Sequence, residues 1–150
     1  MEGQACPDFT LPATNGITFS PKEAKKPLVI YFYPKDNTPG CTNESMAFRD
    51  LYAEFQASGA EVVGVSRDSL KSHENFKAKL ELPFELLSDK EETACQLFDV
   101  MKMKNMYGKQ VRGVERSTFV IDGNGNIARA WRGVKVPGHA EEVLAYIKTL

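Results

Sequence analysis

The sequence is poor in cysteine, histidine and tryptophan, with three, two and one in 150 residues. Three cysteines, an odd number at positions 6, 41 and 95, exclude a disulfide-framework domain. His73 and His139 belong to no H-x-x-x-H pattern, and there is no C-x-x-C, so no metal-ligand spacing is present. Charge of one sign is lacking as well. Nineteen Lys and Arg stand against 20 Asp and Glu, a net −1 that gives no general attraction to nucleic-acid phosphates or anionic membranes. The longest apolar run, Leu28 to Tyr33, is far too short to span a bilayer. Met1-Glu2-Gly3-Gln4 has neither the basic nor the apolar region of a secretory signal. The expectation is a cytoplasmic protein with no nucleic-acid and no membrane partner.

What is present is an ordinary globular composition, 42% hydrophobic by count, without repeats or low-complexity stretches. One domain over residues 1–150 is the simplest partition. Asn15-Gly16 before Ile17-Thr18-Phe19 predicts an N-terminal hairpin. Leu28 to Tyr33, β-branched and aromatic, predicts a strand covered on both faces. Phe48, Leu51, Tyr52 and Phe55, at i, i+3, i+4 and i+7, predict an amphipathic helix that stops near Gly59. Strands follow at Glu61–Ser66 and Phe84–Ser88. Helices are expected at about Ser69–Leu80, with Leu70, Phe76 and Leu80 buried, and at Lys90–Phe98. Ser117–Ile121 and Ile127–Trp131 read as strands joined by the turn Asp122–Asn126, and His139–Leu150 as a closing helix. Strands separated by helices, with a late hairpin, predict an α/β fold: a mixed central sheet flanked by helices, with an N-terminal β-hairpin attached.

Cys41 stands apart from the other thiols. It follows the buried strand across Pro34-Lys35-Asp36-Asn37-Thr38-Pro39-Gly40. Thr38 suits an N-cap and Pro39 the first helical position, which makes Cys41 the third helical residue. Free N–H groups and the positive end of the helix dipole favour a thiolate there. Cysteine also packs as a small hydrophobe, and that alternative stays open. Arg116, at the entrance to the strand Ser117–Ile121, is either a surface gatekeeper or a charge turned into a site. Cys95, beside Ala94, Leu97 and Phe98, is expected to be a buried thiol, and Cys6 a bystander near the N-terminus. His73 is expected on a solvated helix face and His139 at the border of the last helix. Lys102 to Tyr107 is expected to be a loop or surface segment near the site rather than a nucleic-acid patch, with Met101, Met103 and Met106 at the edge of its entrance. Gly123-Asn124-Gly125 is a turn, since no phosphate-loop pattern follows it.

Pro34-x-x-x-Thr38-x-x-Cys41 resembles the active-site loop P-x-x-x-[TS]-x-x-C of the peroxiredoxins. The longer string Phe32 to Thr42 resembles their bacterioferritin comigratory protein, or Q-type, branch. Pro7 to Pro12, Leu86 to Asp89, Met106 to Lys109 and Glu115 to Asp122 are similar in order and spacing. The resemblance implies a thioredoxin-like fold and a thiol-dependent peroxidase that acts on hydrogen peroxide and organic hydroperoxides. It implies Cys41 as the peroxidatic nucleophile and Thr38 as a hydrogen-bonding partner of thiolate and peroxide. Arg116 would hold the thiolate, Pro34 would shield it, and the N–H groups of Gly40 and Cys41 would complete a polar cradle. No metal and no organic cofactor are implied. Many members of the branch carry a resolving cysteine five residues after the nucleophile, and others carry one on the helix matching Ser69–Leu80. Here the first position is Met46 and the second segment has no cysteine. The expected cycle is therefore one-Cys, with thioredoxin, glutaredoxin or a small thiol as external reductant and a monomer as the working unit. The competing readings are a non-catalytic thioredoxin-like binding or holdase module, and a two-Cys cycle that uses Cys95 or Cys6.

Overall fold

The computed structural model describes residues 1–150. The chain opens with an antiparallel hairpin, β1 (Leu11–Pro12) and β2 (Thr18–Phe19), as the sequence predicts. A short 3-10 turn joins them, and both Asn15 (φ 67°) and Gly16 (φ 68°) take the left-handed conformation that these residue types tolerate. The fully buried β3 (Leu28–Phe32) runs into the loop 33–38, and α1 (Pro39–Ala57) follows. Next come β4 (Glu61–Ser66), α2 (Leu70–Leu80), β5 (Leu86–Ser88) and a short α3 (Thr93–Leu97). The second half contains β6 (Met101–Met106), β7 (Lys109–Val114), β8 (Ser117–Ile121), β9 (Ile127–Arg132) and α4 (His139–Ile147).

The central sheet has the order β5-β4-β3-β8-β9. β3, β4 and β5 are parallel because α1 and α2 carry the chain back between them, while β8 and β9 join antiparallel. Strand alternation divides the interior into two cores. Val29, Tyr31 and Tyr33 face α1, α2 and α4, where Phe48, Phe55, Phe76, Val143 and Ile147 pack. Leu28, Ile30 and Phe32 face the other way, onto Phe9, Phe98, Phe119 and Ile121. Gly64 on β4 leaves room for the Tyr31 ring. A Cβ there would sit 2.8 Å from Tyr31 Cζ and 2.9 Å from Leu86 Cδ2.

Three expectations are corrected. Lys102 to Tyr107 is not a loop. It forms β6 and its turn, paired with β7 in a separate two-stranded ribbon. Tyr107 (φ 53°) and Gly108 (φ 78°) make the tight turn, with both central residues at positive φ. Met101 packs against the second core, while Met103 and Met106 are exposed. Leu70, expected inside, is 37% exposed because it opens α2, just after the Ser69 cap whose hydroxyl accepts from the Ser72 N–H (3.2 Å). His73 does not face solvent. It is wholly buried, its two ring nitrogens satisfied by Asp36 Oδ2 (2.8 Å) and the Leu87 carbonyl (2.9 Å). His139 opens α4, as expected, and bonds Thr118 Oγ1 through Nε2 (2.8 Å).

Candidate active site

The site forms where β3 ends and α1 begins, a position past the carboxyl ends of the parallel strands. Pro39 and Gly40 start α1, so Cys41 is its third residue. The first bond of the helical ladder runs from the Thr42 N–H to the Thr38 carbonyl (2.9 Å). The N–H groups of Gly40 and Cys41 precede it and have no partner within the helix. Cys41 is 1% exposed and belongs to the first core.

Arg116 reaches Cys41 from the connection between β7 and β8. Its Nη2 donates to Cys41 Sγ at 3.5 Å and its Nη1 to Glu44 Oε1 at 2.7 Å. The guanidinium therefore bridges a thiol and a carboxylate that lie one helical turn apart on the same face of α1. Gly40 permits this approach, since a Cβ there would lie 3.1 Å from Arg116 Nη2. Arg112, by contrast, pairs with Glu92 at the surface (2.6 Å) and has no part in the site.

Thr38 occupies the N-cap position, but its hydroxyl does not cap the helix. It donates to the Lys35 carbonyl (2.8 Å), which leaves its lone pairs to accept a hydrogen bond. Pro34 is half-buried at the start of the loop. The loop is held from behind. The Asp36 N–H donates to Asp68 Oδ2 (2.9 Å), and the Asp36 carboxylate accepts from Tyr33 Oη (2.6 Å), Ser72 Oγ (2.7 Å) and His73. Burial pushes the Asp36 carboxyl up, but the hydrogen bonds from His73, Tyr33 and Ser72 outweigh it and hold the group below the ordinary carboxylate value.

Sequence reasoning missed Glu44 and Lys104. Glu44 is 1% exposed, and its Oε2 has no hydrogen-bond partner. Burial pushes its carboxyl up to about 7 against the opposing pull of Arg116. A carboxylate three residues after the nucleophile lies on the same helix face, and that spacing was the available signal. Lys104, on β6, donates to the Val114 carbonyl. Burial lowers its affinity for a proton, the Arg116 charge adds to that, and Cys41 opposes it.

A carboxyl shifted upward binds its proton more tightly in the folded chain than in the unfolded one. Glu44 therefore stabilises the fold less as pH rises from 4.5 through about 7. Across that window, Glu44→Gln is expected to gain stability relative to the unmodified protein, as measured by urea unfolding at a series of pH values. A constant difference across the window would refute the assignment.

Cys6 and Cys95 are placed elsewhere. Cys95 is fully buried in the second core, and half-buried Cys6 packs against it, whereas Cys41 belongs to the first. The central sheet thus stands between Cys41 and both other thiols, and all three are free. A disulfide requires Cα atoms within roughly 7 Å and facing Cβ vectors, and thiols that belong to cores on opposite faces of one sheet are not arranged for it. Met46, in the position of the missing resolving cysteine, is half-buried against the first core.

Residues 3–130 match the AhpC/TSA family, and the chain belongs to it. It falls in the Bcp and peroxiredoxin Q branch of thiol peroxidases, with the thioredoxin-like fold of that group. It is 60% identical over 121 residues to peroxiredoxin Bcp of Xanthomonas campestris pv. campestris, covering 81% of this chain and 76% of that one. To peroxiredoxin Bcp of Bacillus subtilis it is 46% identical over 149 residues, covering 99% and 95%. A crystal structure of a cysteine-to-serine mutant of Xylella fastidiosa PrxQ superposes with a TM-score of 0.94 at 44% identity, covering 99% and 96%. Structures of Xanthomonas campestris peroxiredoxin Q superpose at 0.89 with 52% identity, covering 94% and 90%. A further structure of the Xanthomonas campestris bacterioferritin comigratory protein was described in connection with alkyl peroxide reduction (TM-score 0.89, 51% identity, 94% and 90% covered). No helix of this chain is long and apolar enough to cross a membrane.

Proposed function

We propose that the chain reduces hydrogen peroxide and organic hydroperoxides at Cys41, as a single domain over residues 1–150, and that an external thiol completes the cycle. The observation that carries this reading is the Arg116 guanidinium 3.5 Å from a buried thiol at the N-terminus of a helix. The Cys41 thiolate attacks the nearer peroxide oxygen. The S–O bond forms as the O–O bond breaks, Cys41 becomes a sulfenic acid, and the leaving oxygen takes up a proton to depart as water or an alcohol. Negative charge moves from sulfur to the leaving oxygen during this step. Arg116 and the N–H groups of Gly40 and Cys41 meet that charge with fixed donors. Thr38 accepts the peroxide hydrogen through its free lone pairs, Pro34 limits water at the sulfur, and Glu44 keeps the guanidinium in place.

The sulfenic acid is then attacked by an external thiol, which displaces water and forms a mixed disulfide. A second thiol releases Cys41 as a thiol. Thioredoxin, glutaredoxin or a small thiol fills this role, and the enzyme works as a monomer in the cytoplasm. The test is the intact mass of the reduced protein after one equivalent of hydrogen peroxide. One added oxygen is expected, mapped to the peptide containing Cys41. Loss of two hydrogens, with Cys41 linked to Cys6 or Cys95, would refute the one-Cys cycle.

A further inference from the structure

Behind the site lies a buried cluster that the proposed chemistry does not use. His73 and Asp36 have side chains 0% and 1% exposed, with Nδ1 to Oδ2 at 2.8 Å. The Nε2 of the same ring faces the Leu87 carbonyl at 2.9 Å. Both nitrogens therefore face acceptors. Tyr33 Oη and Ser66 Oγ stand further off, each 3.5 Å from the ring. The result is a buried histidine–aspartate pair that joins three elements: the loop 33–38, the first turn of α2, and β5.

Asp36, Asp68 and His73 bring potential ligand atoms within 4.8 Å of one another, a spacing that a metal ion also uses. The hydrogen-bond inventory favours the protein's own contacts. Asp36 Oδ1 takes Tyr33, Asp36 Oδ2 takes Ser72 and His73, and Asp68 Oδ2 takes the Asp36 N–H and Ser66 Oγ (2.6 Å). The donors aimed at these oxygens are built into the protein, as a permanent clamp requires.

We propose that the His73–Asp36 pair is a positioning latch for the Cys41 loop. It fixes residues 34–38, and with them Pro34, Thr38 and the start of α1, to the first turn of α2, so that loop and helix open only together. Breaking the pair from either side leaves a buried polar partner unsatisfied in the interior, so neither segment can loosen alone. The effect on catalysis rests on the peroxidase reading of Cys41; the mechanical coupling does not.

The coupling is tested by native-state hydrogen exchange on the unmodified protein. The Asp36 amide, bonded to Asp68, and the His73 amide, bonded to Ser69 O at 3.0 Å, report the two segments. They are expected to share one opening equilibrium and to respond alike to low concentrations of urea. Different opening equilibria for the two overturn the latch, whatever the fate of any variant. The catalytic consequence is tested with Asp36→Asn, His73→Gln and the double variant, by following hydrogen peroxide reduction in single turnover. Each single variant is expected to slow the reaction by about tenfold or more, as misplacement of a reacting group does. The double variant removes the stranded polar partner, so its thermal midpoint should rise above those of the singles while its rate stays low. A rate that recovers with the midpoint, or single variants as fast as the unmodified protein, would show a purely structural pair. If the unmodified protein fails to consume peroxide, the reading of Cys41 falls, and the exchange experiment still decides the latch.

Discussion

Cys41→Ser is expected to abolish stoichiometric peroxide consumption by the reduced protein. Peroxide cleavage needs a polarisable anionic nucleophile that can keep the oxygen it captures, and a serine hydroxyl at neutral pH is neither ionised nor oxidisable in this way. The remaining thiols offer no substitute. Burial raises the half-buried Cys6 thiol to about 11, so it is almost wholly protonated at neutral pH. Cys95 is pushed higher still by burial and is sealed in the second core. The substitution is close to isosteric, so the fold should persist. The measurement is peroxide remaining after one equivalent is mixed with reduced protein, with the thermal midpoint as a folding control. Full consumption by a folded Cys41→Ser protein would overturn the assignment of the nucleophile and revive the binding-module reading.

Arg116→Ala is expected to slow peroxide reduction by about 10²- to 10³-fold, the range for loss of one fixed donor to a developing negative charge. Two bonds disappear together, one to Cys41 Sγ and one to Glu44. The second loss leaves a buried carboxyl without its cation. That group can escape by taking up a proton, because burial already raises it to about 7. The stability effect is separable from the catalytic one. In a Glu44→Gln background the stranded carboxylate is gone, yet the rate loss from Arg116→Ala should remain. Arg116→Lys is expected to fall between, because an ammonium is a point charge that cannot present two forked donors to Sγ and Oε1 at once. Stopped-flow kinetics with hydrogen peroxide decides this. A rate for Arg116→Ala equal to that of the unmodified protein would remove Arg116 from the mechanism.

Elements with a simple period were legible in the sequence. Leu28–Phe32 shows an unbroken apolar run because both its faces are covered, and α1 shows Phe48, Tyr52 and Phe55 on the face that meets the sheet. Cys41 and Thr38 were placed correctly because Thr-Pro followed by a helical pattern marks a helix start locally. The β6–β7 ribbon was not legible. Met101-Lys102-Met103-Lys104 alternates, but the pattern is too short and is not carried on by Asn105 or by Lys109-Gln110-Val111-Arg112, since the ribbon stands off the main sheet and buries little on either face. His73 and Glu44 escaped for a different reason. Their partners lie 37 and 72 residues away, at Asp36 and Arg116, and a polar residue on a helix looks solvated until the fold brings its counter-charge against it. Arg116 was singled out by its place at the strand entrance, but its local sequence favoured a surface gatekeeper, and only the resemblance turned it towards the site.

On the one-Cys cycle proposed above, the wall of strands between Cys41 and the other two thiols sets the kinetic order of the second half of the cycle. A resolving group on the same chain would quench the sulfenic acid at a fixed first-order rate. With an external thiol as proposed, quenching is second order, and the lifetime of the oxidised enzyme scales inversely with the supply of free thiol around it. When that supply falls, a second peroxide competes for the same sulfur and carries it to the sulfinic acid. On that cycle, the protein's survival under oxidative load is governed by the ratio of two solute concentrations, peroxide to thiol.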